Sequence, residues 1–462
     1  MTIASEQRPL WVAVVGAGPA GFYAIESLLK GDAHVRVDII ERLPTPFGLV
    51  RSGVAPDHQS IKGVTRIYDK LMADPRVRFF GNVTVGSDIT HDELLAHYDQ
   101  IIYAVGAQSD RKMGIPGEEL VGSAPATSFV GWYNGHPDYR DAQFNLEHER
   151  VVVIGNGNVA MDVTRILMAP IAELATTDMA DHAIDSLRQS QVKQVVMLGR
   201  RGPVQAAFTT PELKEFGDLH GVDVYLDAED FVLDPASEAQ LANDKVATRN
   251  MDVMRQYLER TPEGLDRSIH MRFMWSPVQI LGENGRVTGV VIERNRLVDD
   301  GNGSVRAEGI GDRQTIACGM VLRSVGYRSV ALAGVPFDER RGLFPNVDGR
   351  LTDGPGGTVL PRTYVVGWAK RGPSGIIGTN KPDSVATVNS MKADWEGLSD
   401  LAAVHRDGST VAALIASRIA QVVDYASWQA IDAHEIAMGA PQERPRVKLT
   451  RVADMLDVAK QR

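Results

Sequence analysis

The chain has 462 residues, which at roughly 150 residues per domain points to two or three domains and excludes small stapled scaffolds. Its 49 Lys+Arg against 59 Asp+Glu leave a formal net charge of -10, which argues against nucleic acid as the main partner. The one cysteine, Cys318, excludes an internal disulfide, a CxxC redox pair, a cysteine-ligated cluster and a multi-thiolate zinc site, so no metal centre is expected and the cytoplasm is the expected compartment.

Met1 to Arg8 is a short polar stretch without the charged start and apolar run of a secretion signal. No window approaches ~18 uninterrupted apolar residues, so no membrane span is expected. Leu10 to Val15 is an apolar run suited to a strand buried on both faces of a parallel sheet. It enters Gly16-Ala17-Gly18-Pro19-Ala20-Gly21, after which Phe22, Ile25, Leu28 and Leu29 repeat at helical spacing until Gly31. A second strand, Val35 to Ile40, ends at Glu41, twenty residues after Gly21. In this G-x-G-x-x-G arrangement Gly16 allows the tight turn, Gly18 lets a pyrophosphate approach the backbone, Gly21 lets helix and strand pack closely, and the acid meets the ribose hydroxyls. The connection from Arg42 to Ser60, with Pro44, Pro46, Gly48, Gly53 and Pro56, is too irregular for an element and too long for an idle link, so a functional loop is expected there.

The run Ile101 to Gly106 is a candidate strand where the chain crosses between domains. Val151 to Ile154 then leads into Gly155-Asn156-Gly157-Asn158-Val159-Ala160, a G-x-G-x-x-A variant opening a helix with Val163, Ile166 and Leu167 on one face. The next strand, Val192 to Leu198, ends in Gly199-Arg200-Arg201-Gly202 with no acid. A carboxylate there would repel a 2′-phosphate, whereas two guanidiniums grip one, so this second site selects NADP over NAD. A solvated basic turn is the plainer alternative. Glu212 and Glu215, three apart after Pro211, fall on the first turns of a helix and by themselves read as surface acids complementing its dipole.

Arg249, Arg255, Arg260, Arg267 and Arg272 suggest a helical basic face for an acidic partner, although acids lie among them. Cys318 reads as a small core thiol, and Met320 to Gly326 as a second crossing strand. Tyr364 to Trp368 reads as a strand, Lys370 to Lys381 as a glycine loop, and a helix is predicted from about Pro382 with Val385, Val388, Met391 and Trp395 inward. This loop and helix terminus are placed at a flavin pyrimidine, since a protein with an NADP site after a first dinucleotide site is most simply a flavoprotein in which the first site holds FAD.

Pro44 to His58, Gly155 to Ala160, Gly199 to Pro203 with Phe208-Thr209-Thr210, and Val366 to Lys381 together resemble the adrenodoxin reductase family of NADPH-ferredoxin reductases, in its mycobacterial-type branch, over nearly the whole chain. The resemblance implies FAD contacts from Ala20, Glu41, Leu49, Val85, Trp368 and the backbone of Gly375, Ile376 and Ile377. It implies NADP contacts from Arg111, from Asn156, Gly157, Asn158 and Val159, from Arg200 and Arg201 at the 2′-phosphate, and from Glu212 and Gly375 at the nicotinamide end. His58 and Glu215 match residues near the rings, and are the candidate catalytic pair; on the residues alone His58 reads as a surface histidine.

The expected fold is α/β, with two Rossmann-like dinucleotide-binding domains and the NADP domain, 110–328, inserted into a discontinuous FAD domain, 1–109 and 329–462. The tail, including Trp428 to Glu435 and Arg444 to Arg451, is expected to pack on the FAD domain. The implied activity is hydride transfer from NADPH to FAD followed by single-electron transfer to a ferredoxin-type iron-sulfur protein, with the reverse direction open. A disulfide reductase is excluded by the cysteine count. An NADPH-dependent quinone or dye reductase, a flavin monooxygenase and a nucleotide-binding redox sensor with little turnover are the competing readings.

Overall fold

The computed structural model describes residues 3–301, 304–398 and 408–461. The chain folds as two compact units, one of Met1–Val54, His58–Ser109 and Gly326–Arg462, the other of Ala55–Asp57 and Asp110–Val325. The return to the first unit thus comes at Gly326 rather than at residue 329, and Ala55–Asp57 groups with the second unit, in which Asp57 is ion-paired to Arg165.

The first unit is built on a seven-stranded sheet in the order Asn346–Val347, Arg350–Thr352, Val359–Val365, Gln100–Tyr103, Leu10–Val15, Val35–Glu41, Val77–Gly81. The last five are mutually parallel, and Arg350–Thr352 pairs antiparallel with both of its neighbours. Leu10, Val12, Ala13 and Val14 are wholly buried, which is why this strand carries apolar side chains on both faces. One face packs against Phe22, Ile25, Val388 and Met391, the other against Val83, Ile89 and Val411. The chain leaves Leu10–Val15 for one neighbour while Gln100–Tyr103 flanks the other side, so a crevice opens at the strand's carboxyl end.

The helix following the glycine loop spans Asn380–Ala393, with Pro382 in its first turn. Of the expected inward face, Val388 and Met391 are buried and Val385 half-buried, but Asn380, Ser384 and Thr387 take the other buried places and Trp395 lies beyond the helix end. The hydroxyls explain the difference: Ser384 donates to the Ala20 carbonyl at 2.9 Å and Thr387 to the Val365 carbonyl at 3.3 Å, and these short side chains let the helix lie close to Pro19–Leu28. In the tail, Trp428 and Ile431 enter the same core as Phe22 and Phe47. Glu435, wholly buried, accepts from Arg51 at 2.8 Å and from the Leu449 amide at 2.8 Å. Burial alone would raise its carboxyl, but Arg51 and Arg446 hold it below the usual range.

The second unit carries a six-stranded, all-parallel sheet in the order Ser123–Pro125, Met320–Arg323, Arg150–Ile154, Gln194–Leu198, Arg267–Arg272, Val222–Leu226. The helices Asn158–Met168, Thr210–Asp218 and Lys245–Glu259 cover one face. An antiparallel sheet of Trp275–Glu283, Arg286–Asp299 and Val305–Ala317 covers the other. Cys318 lies in that second core, where burial pushes its thiol up to about 12. The proposed basic face is not a single one. Arg249 and Arg255 are exposed on the Lys245–Glu259 helix and Arg260 caps it, whereas Arg267 and Arg272 belong to a strand, and Arg267 donates into the unit to the Leu167 carbonyl.

Candidate functional site

In the first unit, Gly16 closes the Leu10–Val15 strand with φ +102°, and its amide donates to the Ile40 carbonyl at 2.8 Å. A Cβ on Gly16 would sit 2.6 Å from the Ala104 carbonyl oxygen, and one on Gly21 would sit 2.7 Å from the Gly16 oxygen. Both glycines are therefore required by packing. Gly18 differs, since nothing lies within 4 Å of its would-be Cβ. The space above it borders the first amides of the Pro19–Leu28 helix, which no side chain caps.

Glu41 ends the adjacent strand with its carboxylate turned back toward this turn, accepting from the Ala17 amide at 2.9 Å and the Leu43 amide at 3.1 Å. Burial pushes its carboxyl up, partly countered by those amides. The loop after it folds over the same turn: the Phe47 amide donates to the Ala17 carbonyl at 2.8 Å, and a Cβ on Gly48 would lie 3.1 Å from the Gly18 Cα. Leu49, which starts the short helix Leu49–Ser52, is thereby held there with its side chain 40% exposed. Gly367 approaches from the other side, its would-be Cβ 2.5 Å from the Ala20 Cβ, and delivers Trp368. Val85 is buried past the end of Val77–Gly81, in a segment whose Val83 amide donates to the Glu41 carbonyl. Gly375 and Ile376 are exposed and Ile377 half-buried on the loop before Asn380–Ala393. His58 occupies the N-cap position of the four-residue helix Gln59–Lys62, without a side-chain capping bond.

In the second unit the same local geometry recurs. Gly155 has φ +130°, and a Cβ on it would overlap the Ser324 carbonyl oxygen, while Gly157 again has open space above it. The helix Asn158–Met168 starts there without a side-chain cap. Asn156 and Asn158 tie the turn to the segment 207–209: the Ala207 amide donates to the Asn156 carbonyl at 3.0 Å, and Asn158 accepts from the Thr209 amide at 2.8 Å. Val159 is half-buried beside them. Arg200 is exposed and Arg201 half-buried past Gln194–Leu198, and neither has an acidic partner among the described residues. Burial, and then Arg200, lower the Arg201 guanidinium from its ordinary value. Arg111 is exposed and likewise makes no ion pair among the described residues.

Glu212 and Glu215 stand on the helix Thr210–Asp218, but they are not simple surface acids. Arg165, with a side chain only 4% exposed, pairs with Glu212 at 3.1 Å, Glu215 at 2.7 Å, Asp162 at 2.7 Å and Asp57 at 2.8 Å. Burial opposes its charge, and the carboxylates of Asp57, Asp162 and Glu215 more than offset that, so it is held above its ordinary value. Arg165 is the member of this cluster that sequence reasoning misses. Its only local signal is Asp162 three positions earlier, which on a helix reads as an ordinary exposed pair.

The two turns fit the two expected cofactors, on the observation that Gly18 and Gly157 alone of each fingerprint's first two glycines leave room for a group at the bare helix end. At the neighbouring strand end one turn has an acid, which suits ribose hydroxyls. The other has paired cations, which suit a phosphate.

A family model described as pyridine nucleotide-disulphide oxidoreductase matches residues 11–226. The chain is 48% identical to the NADPH-ferredoxin reductase FprA of Mycobacterium tuberculosis, covering 98% of this chain and 99% of that protein. It is 40% identical to a mitochondrial NADPH:adrenodoxin oxidoreductase of Arabidopsis thaliana, covering 98% and 96%. The solved structure of Mycobacterium tuberculosis FprA in complex with NADPH superposes with a TM-score of 0.93 at 47% identity, covering 98% of this chain and 100% of that one.

Proposed function

Since the chain belongs to the NADPH-ferredoxin reductase family, we propose that it oxidises NADPH and passes the electrons singly to a ferredoxin-type iron-sulfur protein. It is an NADPH-dependent flavoprotein oxidoreductase. The single observation that carries the cofactor assignment is the contrast between two otherwise alike turns, Glu41 beside the first and unpaired Arg200 and Arg201 beside the second. FAD, when bound, supplies the conversion between a two-electron donor and one-electron acceptors.

The residues bind and orient. Gly16, Gly18 and Gly21 bring the Ala20 and Gly21 amides to the flavin-nucleotide pyrophosphate, and Glu41 accepts from its ribose. Leu49, Val85 and Trp368 pack on the bound group and exclude water, and the amides of Gly375, Ile376 and Ile377 donate to it. In the second unit Asn156, Gly157, Asn158 and Val159 hold the NADP pyrophosphate, Arg200 and Arg201 the 2′-phosphate, and Arg111 adds a further cation. Glu212 and Glu215, oriented by Arg165, accept from the nicotinamide end. His58 positions groups at the flavin or helps proton uptake there rather than making bonds. The single buried cysteine supports a reducing, cytoplasmic setting, and among the described residues no helix is long and apolar enough to cross a membrane.

The test is NADPH-driven cytochrome c reduction by the purified yellow protein, with and without an added small ferredoxin, repeated with NADH. A large ferredoxin-dependent increase and a strong NADPH preference are expected. Fast reduction of quinones or dyes with no gain from ferredoxin would overturn the assigned acceptor.

A further inference from the structure

We propose that Arg371 is a positioning residue for the flavin-binding loop and that its uncompensated positive charge favours the reduced, anionic form of the bound flavin over the oxidised one. The inference rests on the FAD reading of the first unit and deepens it.

Arg371 ends the short helix Trp368–Arg371, and the glycine loop starts at once with Gly372, φ +89°. Its guanidinium reaches both ends of that loop. One nitrogen donates to the Ser374 carbonyl and, at 3.1 Å, to the Ser374 hydroxyl. The other donates to Thr379 Oγ1 at 3.2 Å and to Asn380 Oδ1 at 2.9 Å. The Trp368 indole N–H also donates to the Ser374 carbonyl, at 3.3 Å. Between these anchor points lie Gly375, Ile376, Ile377 and Gly378, whose amides donate to no protein acceptor among the described residues. Gly375 is fixed as glycine by φ +79° and by a would-be Cβ that overlaps Thr379. The side chain that holds the loop thus leaves its amides available to a bound group.

Charge separates this residue from its neighbour. Lys370 pairs with Asp383 at 3.0 Å, whereas Arg371 has no acidic partner among the described residues. Its Nε is buried without a hydrogen-bond partner. Keeping a guanidinium partly desolvated with one donor unmet is costly unless an anion balances it. The group that gains negative charge during turnover is the flavin, and the electronics of a bound flavin respond to charge placed near its ring nitrogens. A cation tied to both ends of the donor loop acts continuously on that site, and exposed salt screens it less than a surface charge.

The experiment uses the full-length, FAD-loaded protein and compares wild type with Arg371→Gln, which keeps donors but removes charge, and Arg371→Lys, which keeps charge but not the fork. The readout is the two-electron midpoint potential by dye equilibration, with the pH dependence of the reduced flavin's spectrum. Arg371→Gln should weaken the preference for the reduced form about tenfold, which is about 30 mV more negative for a two-electron couple. Arg371→Lys should restore most of it, which a purely structural role for the fork would not produce. If Arg371→Gln binds FAD too weakly to stay loaded, the ratio of its affinities for oxidised and reduced FAD reports the same quantity. An equal loss for both forms, or less than a twofold change in their ratio, overturns the inference while leaving the FAD reading intact. A wild-type protein that retains no FAD overturns both.

Discussion

Replacing Arg165 by Met should be among the most damaging single changes in the second unit. The guanidinium is 4% exposed and sits 2.7–3.1 Å from carboxylates of Asp57, Asp162, Glu212 and Glu215, whose side chains are 27%, 15%, 11% and 34% exposed. At an effective dielectric near 20, one such pair is worth about 4 kcal/mol of direct attraction. Mutual repulsion among the acids and the desolvation of all five groups remove much of the total. What remains on deletion is the cost of clustered acids left without a cation, about 3–5 kcal/mol. Arg165 is held above its ordinary value, so its own charge is constant from pH 5 to 9, and any pH dependence in the deficit comes from the acids. A chain of two units does not unfold in two states, so the assay is native-state hydrogen exchange of the helices Asn158–Met168 and Thr210–Asp218. Arg165→Met/Glu212→Gln should lose less than the sum of the two single changes, because removing one acid relieves the cluster. Unchanged protection in Arg165→Met, or strictly additive losses, would refute the reasoning.

Arg200→Ala and Arg201→Ala should each weaken NADPH binding about 10–100-fold, the loss of a charge-assisted bond of about 1.5–3 kcal/mol, with NADH little changed; kcat/KM for the two donors checks this, and equal losses would remove both residues from the 2′-phosphate. Gly18→Val should leave the apoprotein folded but FAD-free, because its Cβ meets nothing within 4 Å, whereas Gly16→Val should fail to fold, with φ +102° and the Ala104 carbonyl 2.6 Å away; flavin content beside circular dichroism separates the two. Asp69 is pushed up to about 6, mainly by burial and then by Asp432. An acid raised in the fold costs stability that grows as pH climbs from its ordinary 3.8 toward about 6 and stays constant above. Asp69→Asn should therefore stabilise by about 1 kcal/mol at pH 8, discounted because the group is half-exposed, and by nothing at pH 3.5; an equal gain at both pH values would show that charge is not the cause.

The two turns are legible in the sequence because their physics is local. A strand, a glycine whose neighbour is a carbonyl, a bare helix end and the residue closing the next strand all fall within a short stretch, so Gly16 to Glu41 can be read almost as written. The second turn is interrupted by an insertion, yet its strand end still announces itself through Gly199 and two arginines. The layer behind those contacts is not legible, since it is made by side chains that converge from far apart. Arg165 draws on positions 57, 162, 212 and 215, and its one near neighbour suggests exposure when the residue is buried. Glu212, placed just after Pro211, reads as a surface acid and is 8% exposed. Lys370 and Arg371 adjoin in the sequence, and only the fold assigns Asp383 to the first and leaves the second to hold a loop. Local pattern therefore identifies the residues proposed to touch the cofactors, while the charge networks behind them come from long-range packing. Two chains with identical fingerprints can consequently differ in the buried ion pairs and loop anchors made by residues like Arg165 and Arg371, which no fingerprint contains.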